Sequence, residues 1–129
     1  MDISYFLDLK DGRISELLIC SVSSTTASML GLKTPHIYLK TAELNHILRH
    51  VDIFQLRHLP DMISNGLLVK ETLRPDSFLA IYQHEPHRYK IAMKIASNGR
   101  EVWISTMHRT KPKQTTAILN RASIIRRHR

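Results

Sequence analysis

Between Thr41 and Asn65 the apolar residues recur at three- and four-residue spacing, and from Gly66 onward they alternate with polar ones. The first pattern marks helices with one core-facing stripe, and the second marks half-buried strands. Leu67–Glu71 and Phe78–Tyr82 read as two strands separated by Arg74-Pro75-Asp76. Glu85-Pro86 supplies the next turn, and Arg88 to Arg109 reads as a hairpin folded about Asn98-Gly99. Both of those residues tolerate positive φ, so the pair predicts a two-residue type I′ turn. In that register Ile95 faces Val102, Met93 faces Ile104 and Ile91 faces Thr106 on an apolar face. Lys94 opposite Trp103, Ala92 opposite Ser105 and Lys90 opposite Met107 form the other face, because side chains alternate across a strand.

Ahead of the strands, Thr41 suits a helix N-cap, Glu43 lies in the first turn, and Arg49 and His50 lie near the end. Acids at the start and cations at the end match the helix dipole. Leu44, Ile47, Leu48 and Val51 give this helix its buried stripe. Asp52 suits the cap of a second helix through Leu59, with Phe54 and Leu56 or Arg57 partly buried. Pro60 and Asn65-Gly66 suit the start and end of a third. Residues 1–33 are less patterned: Ile14–Ile19 suits a strand and Ser23–Leu30 a short helix capped by Ser24 or Thr25; after the break at Thr34-Pro35, His36–Leu39 suits another strand. Lys111-Pro112-Lys113 reads as an exposed connector, and Thr116–His128 as a last helix. The expected fold class is α+β, with N-terminal helices on one face of a roughly four-stranded antiparallel meander and a basic C-terminal helix or tail. A chain of 129 residues suits one domain spanning 1–129, with 110–129 as a basic extension.

Charge sharpens the picture at one end. Arg109 to Arg129 holds seven Lys or Arg and no acid, whereas the remainder, with twelve bases and eleven acids, is nearly balanced. Such asymmetry favours a polyanionic partner, either nucleic acid or an acidic protein. No apolar run is long enough to span a bilayer and the N-terminus lacks a leader pattern, so no membrane association is expected. Cys20 is the single cysteine, which suits a cytoplasmic location.

His46 and His50 stand four residues apart on one helix, a spacing that suits a shared transition metal. The zincin pattern needs Glu after the first histidine, where this chain has Ile47, and no third ligand is suitably spaced, so no metal or other cofactor is expected. Either imidazole also titrates in the range of a general acid or base. The simpler role for both is a helix-end histidine that meets the dipole and solvent. His84 and His87 flank a hairpin tip and read as surface residues, and His108 is either substrate-facing or a solvated strand end. No Gly-rich phosphate loop or nucleophile elbow is present. Cleaving RNA without a metal requires a base for the 2′-hydroxyl, an acid for the leaving oxygen, and cations on the phosphorane.

The order of these features carries a resemblance. The helix ends in Arg49-His50, and a turn follows with the sequence Leu59-Pro60-Asp61-Met62-Ile63-Ser64-Asn65-Gly66. Three alternating strands come next with Lys94 in the third, and the fourth carries Trp103-x-Ser105-Thr106-x-His108-Arg109. Together they resemble the phage-type nuclease branch of the barnase–EndoU–colicin–RelE superfamily, over roughly Ile37 to Lys111. The resemblance implies a small α+β, metal-independent ribonuclease acting as a toxin or phage-related effector. By the same resemblance, the helix of His46 and His50 supplies the acid or base, Lys94 the strand cation, Ser105 or Thr106 the hydroxyl, and Arg109 a phosphate contact. The family habit points to Thr106, whereas a register without a bulge places Ser105 beside Lys94. Trp103 would stack a base. His108 and the basic extension (Lys111, Lys113, Arg121, Arg126 and Arg127) would bind RNA, or receive an acidic antitoxin or immunity protein. The rival expectation is a non-catalytic nucleic-acid- or protein-binding module on the same fold.

Overall fold

The computed structural model describes all 129 residues. The predicted meander forms as β3 (Leu67–Glu71), β4 (Ser77–His84), β5 (His87–Ile95) and β6 (Val102–Thr110), each antiparallel to the next. The sheet is larger than the meander, however. β1 (Glu16–Ser21) and β2 (His36–Lys40) extend it beyond β6, and β7 (Ala122–Arg126) extends it beyond β3. The seven strands lie in the order β1-β2-β6-β5-β4-β3-β7, and only the β2–β6 pair is parallel.

The C-terminal segment departs from the connector at 111–113 and the single helix over 116–128 expected there. Lys111 is the N-cap and Pro112 the first residue of α6 (Pro112–Leu119), and the chain then turns at Asn120 into β7. Two effects favour this outcome. β7 pairs Ile124 with Val69 and Ala122 with Glu71, so the backbone of buried β3 is not left as an open edge. α6 lays Ile118 against Leu67, Val69, Leu79 and Ile81, which would otherwise be bare on that face. The basic extension is therefore packed structure.

Helices α1 (Ile3–Lys10), α3 (Thr41–Ile47), α4 (Ile53–Leu56) and α5 (Leu59–Asn65) contribute to the main core, as does α2 (Ser24–Leu30). Phe6, Leu44, Ile47, Leu56 and Met62 meet Ile37, Leu39, Phe78, Ile91, Met93 and Ile104 from the sheet. α1 lies in the stretch that showed little pattern and is capped by Asp2. Ser23 rather than Ser24 or Thr25 caps α2, which ends at Gly31. Lys40 rather than Thr41 occupies the N-cap of α3, and the Thr41 hydroxyl donates instead to the Leu9 carbonyl. Asp52 caps α4 through a capping box with Gln55, although Phe54 is exposed rather than partly buried. Burial pushes the Cys20 thiol up to about 12, against the opposing pull of Arg126 and Ser64, which makes it a packing group.

The β5–β6 hairpin keeps the expected register near its turn, with Ile95 opposite Val102, Lys94 opposite Trp103 and Met93 opposite Ile104. The turn itself is longer than two residues. Ala96 accepts from the Gly99 amide and donates to the Glu101 carbonyl, leaving Ser97 to Arg100 as the loop. Only Gly99 takes positive φ, at 72°, and a Cβ there would lie 3.1 Å from the Gly31 carbonyl oxygen. Beyond Met93 the register slips by one: Ala92 pairs with Thr106, Ile91 with Met107 and Lys90 with His108. Ser105 is the extra, bulged residue. The slip buries Met107 beside Ile91, a gain of about 1.5–3 kcal/mol for such a side chain. The unslipped register would instead place the Thr106 hydroxyl in the core, at a cost of about 1–3 kcal/mol if unpaired. Both terms favour the bulge, which overturns the pairing of Ala92 with Ser105.

Arg126 fastens β7 to the end of α5. Its Nη2 donates to the Ile63 carbonyl and, at 2.8 Å, to the Gly66 carbonyl. Arg126→Met should lower stability by about 2 kcal/mol, because half-buried carbonyls lose a charged donor. A urea midpoint unchanged by the substitution would contradict that role.

Candidate functional site

One row of registered residues crosses the sheet on the face opposite the main core. Leu18 pairs with Tyr38, Tyr38 with Trp103, Trp103 with Lys94, and Lys94 with Ser77. α6 covers this face over β3 and β4, where Ile118 rests, and the side of β5 and β6 away from it stays open. Along the open strip, β5 presents Lys90, Ala92 and Lys94, while β6 presents Trp103, Thr106 and His108. Lys90 and Lys94 are four residues apart on one strand, roughly 13 Å at 3.3 Å per residue.

Two adjoining cavities lie along this strip. One, of about 460 Å³, is lined by Lys90, Lys94, Ser105 and Thr106 together with Glu71, Arg74 and Arg121. The other, of about 270 Å³, is lined by Lys90, His108, Arg109, Thr110, Gln114 and Arg121. Lys90 and Arg121 belong to both, so the two form one cleft between β5–β6 and the α6–β7 turn. A cavity of about 410 Å³ at the hairpin tip includes Lys33, Lys70 and Asp76 but no histidine.

α3 ends at Ile47, so His46 lies in its last turn and His50 in the turn after it rather than on one helix, and both reach the His108 end of the cleft. β2 runs parallel to β6, and the chain enters α3 directly after Lys40, so α3 packs beside β6. The rings of His46 and His50 are 5.4 Å apart between centroids, and those of His50 and His108 are 6.0 Å apart. His46, His50 and His108 do not form a group able to hold a metal ion. Burial holds the His108 imidazole below the ordinary histidine value of 6.5, and the charges of Lys90, His50 and His46 push it the same way. Neutral His108 is therefore available as a proton acceptor near pH 7.

The remaining residues singled out in the sequence are distributed as follows. Lys94 shares the open face with Trp103 and lies 4.0 Å from Asp76, an exposed pair that leaves the ammonium largely free. The Ser105 hydroxyl donates to the Ala92 carbonyl at 3.1 Å, so the bulge engages it, and Thr106 takes the place on the open face. Trp103 is half-buried, with Lys40 Nζ 4.7 Å from its ring centroid. Arg109 pairs with Tyr89 across the strands, yet it is exposed and borders the second cavity beside His108. Lys111 and Lys113 are exposed at the start of α6 and Arg127 is exposed after β7, whereas Arg126 is turned inward. His84 is half-buried and packs on His58 with centroids 4.5 Å apart, unlike the surface residue expected. Lys90, Tyr38 and Arg74 were not singled out as site residues. Lys90 had a signal, since it shares strand parity with Lys94, but Tyr38 required the parallel β2–β6 pairing, which leaves no local trace.

No helix is long and apolar enough to cross a membrane. No family model, curated protein or solved structure matches the chain.

By nuclear magnetic resonance, His108 should titrate below 6.5, and Lys90→Met should move it back toward that value. Stability follows the same sign. A histidine whose folded value is depressed binds its proton more readily when unfolded, so this contribution falls as pH drops through and below 6.5. An ordinary His108 titration, unmoved by Lys90→Met, would contradict the assigned environment.

Proposed function

We propose that the chain is a metal-independent ribonuclease that holds single-stranded RNA along the open β5–β6 strip. The observation that carries this reading is the meeting of His50 and His108, 6.0 Å apart between ring centroids, at the end of a cleft lined by Lys90, Thr106 and Arg121. Histidines held in reach of one phosphate can divide the proton transfers of a transesterification between them. Neutral His108 takes the proton of a ribose 2′-hydroxyl, and the freed oxygen attacks the adjacent phosphorus. The bond from phosphorus to the 5′-oxygen breaks, and His50, as general acid, gives a proton to that oxygen. The products are a 2′,3′-cyclic phosphate and a 5′-hydroxyl. Lys90 offsets the charge that develops on the phosphorane, and the Thr106 hydroxyl orients a phosphate oxygen. Lys94, further along the strip, meets a phosphate further along the strand, and Trp103 and Tyr38 give bases an aromatic surface.

This assignment keeps His50 and Lys94 from the sequence reading, gives His108 a proton-transfer role in place of RNA binding alone, and adds Lys90. It prefers Thr106 to Ser105, whose hydroxyl is already engaged. His46 stands beside His50, with ring centroids 5.4 Å apart. The exposed cations of the cleft and of α6 also suit an acidic inhibitor, as a cytoplasmic toxin or phage-related effector would need.

A second reading, a non-catalytic RNA-binding module, draws on the row from Tyr38 through Trp103 to Lys94, which suits stacking and backbone contact without any chemistry. Incubation with single-stranded RNA in EDTA separates the two. The ribonuclease reading expects cyclic-phosphate ends, with His50→Ala and His108→Ala each slowing cleavage by about 10²–10⁴-fold. Cleavage unchanged in both variants would remove the histidines from the mechanism. Salt-sensitive binding without cleavage would favour the module, and loss of activity in EDTA restored by zinc would overturn the metal-independent chemistry.

A further inference from the structure

Glu71, the last residue of β3, carries a carboxylate that two arginines share. Its Oε2 lies 3.6 Å from Arg74 Nε and 3.7 Å from Arg121 Nε. The Glu71 side chain is 14% exposed, whereas those of Arg74 and Arg121 are 73% and 56% exposed. One nearly buried acid thus holds two largely solvated guanidinium groups. Each guanidinium has five N–H donors, most of which this contact leaves free for an anion.

The backbone also fixes Arg121. Its amide donates to the Ile118 carbonyl at 3.0 Å, and its carbonyl accepts from the Thr72 amide at 3.4 Å. The α6–β7 turn is thereby tied to the loop that bears Arg74. A pocket of about 180 Å³ opens among Glu71, Leu73, Arg74 and Arg121. The same two arginines line the larger cavity with Lys94 and Thr106. As a stabilising device alone, such exposed ion pairs contribute only about 0–1 kcal/mol each. Two guanidiniums around one carboxylate leave a net positive charge facing the cavity, in the forked geometry that suits phosphate oxygens.

We infer that Arg74 and Arg121, positioned by Glu71, form a second phosphate subsite beside the histidine end of the cleft. The cleft then takes a polynucleotide strand rather than a mononucleotide or dinucleotide. This rests on the RNA reading above and extends it to the size of the substrate.

The test is fluorescence anisotropy with a labelled single-stranded RNA of about 12 nucleotides, within the usual range for such sites, titrated across a series of salt concentrations. A phosphate contact to a single strand contributes about 0.7 to the slope of log affinity against log salt, so Arg74→Ala should lower the slope by about 0.7 and Arg74→Ala/Arg121→Ala by about 1.4. Lys10→Ala/Arg13→Ala, which removes two exposed cations near the end of α1, should leave the slope unchanged. Binding with an unchanged slope in the double arginine variant, or an equal fall in the α1 control, would overturn the subsite alone. Failure of the unaltered chain to bind the RNA at all would overturn the RNA reading and the subsite with it.

Discussion

The unpaired Ser105 sets the phase of every residue beyond it in β6. With Ser105 bulged, Met107 turns into the core beside Ile91, while Thr106 and His108 turn outward beside Ala92 and Lys90. The hydrophobic requirement at Met107 thus fixes which polar groups face the cleft. If the ladder ran without the slip, His108 would stand on the helix-covered side of the sheet. The Lys90–His108 pairing would be lost. The bulge is held from within, because the Ser105 hydroxyl donates to the Ala92 carbonyl across the strand pair. Bulges of this kind re-aim side chains and recur beside active sites.

The division of the sheet's second face follows from a similar argument. Leu67, Val69, Leu79 and Ile81 are too apolar to remain bare, and α6 covers them with Ile118. The matching positions on β5 and β6 are Lys90, Lys94, Thr106 and His108, which need no cover. The boundary between the covered and open parts is where the cleft forms. Arg121, at the turn leaving α6, is carried to that boundary by the same packing. α3 completes the site from the other side, since β2 ends at Lys40 and leaves room beside β6 for the helix that bears His46.

Much of this was legible in the sequence where local pattern decides the outcome. The meander, the capping of α4 by Asp52 and the opposition of Lys94 and Trp103 follow from period and turn chemistry. The bulge also left a trace: Val102 and Ile104 alternate, and then two polar residues, Ser105 and Thr106, precede Met107. A phase slip in an apolar alternation is the signal of an extra residue. Other features depend on distant partners. β7 forms because β3 has an edge to fill, and Ala122, Ile118 and Ile125 fit a helical stripe equally well in isolation. Arg126 looked like one of many free cations, yet it is the one whose guanidinium is taken by the carbonyls of Ile63 and Gly66. Composition cannot separate a fastening arginine from a binding one.

The central claim is that the open β5–β6 strip, phased by the Ser105 bulge, is the surface that receives RNA. The most direct measurement is a nuclear magnetic resonance titration of the labelled protein with a short single-stranded RNA. The account predicts that the Trp103 indole, Thr106, His108 and Lys90 shift together and saturate at one RNA concentration. Shifts confined to α1, α4 and α5, or to Arg127–Arg129 alone, would contradict it.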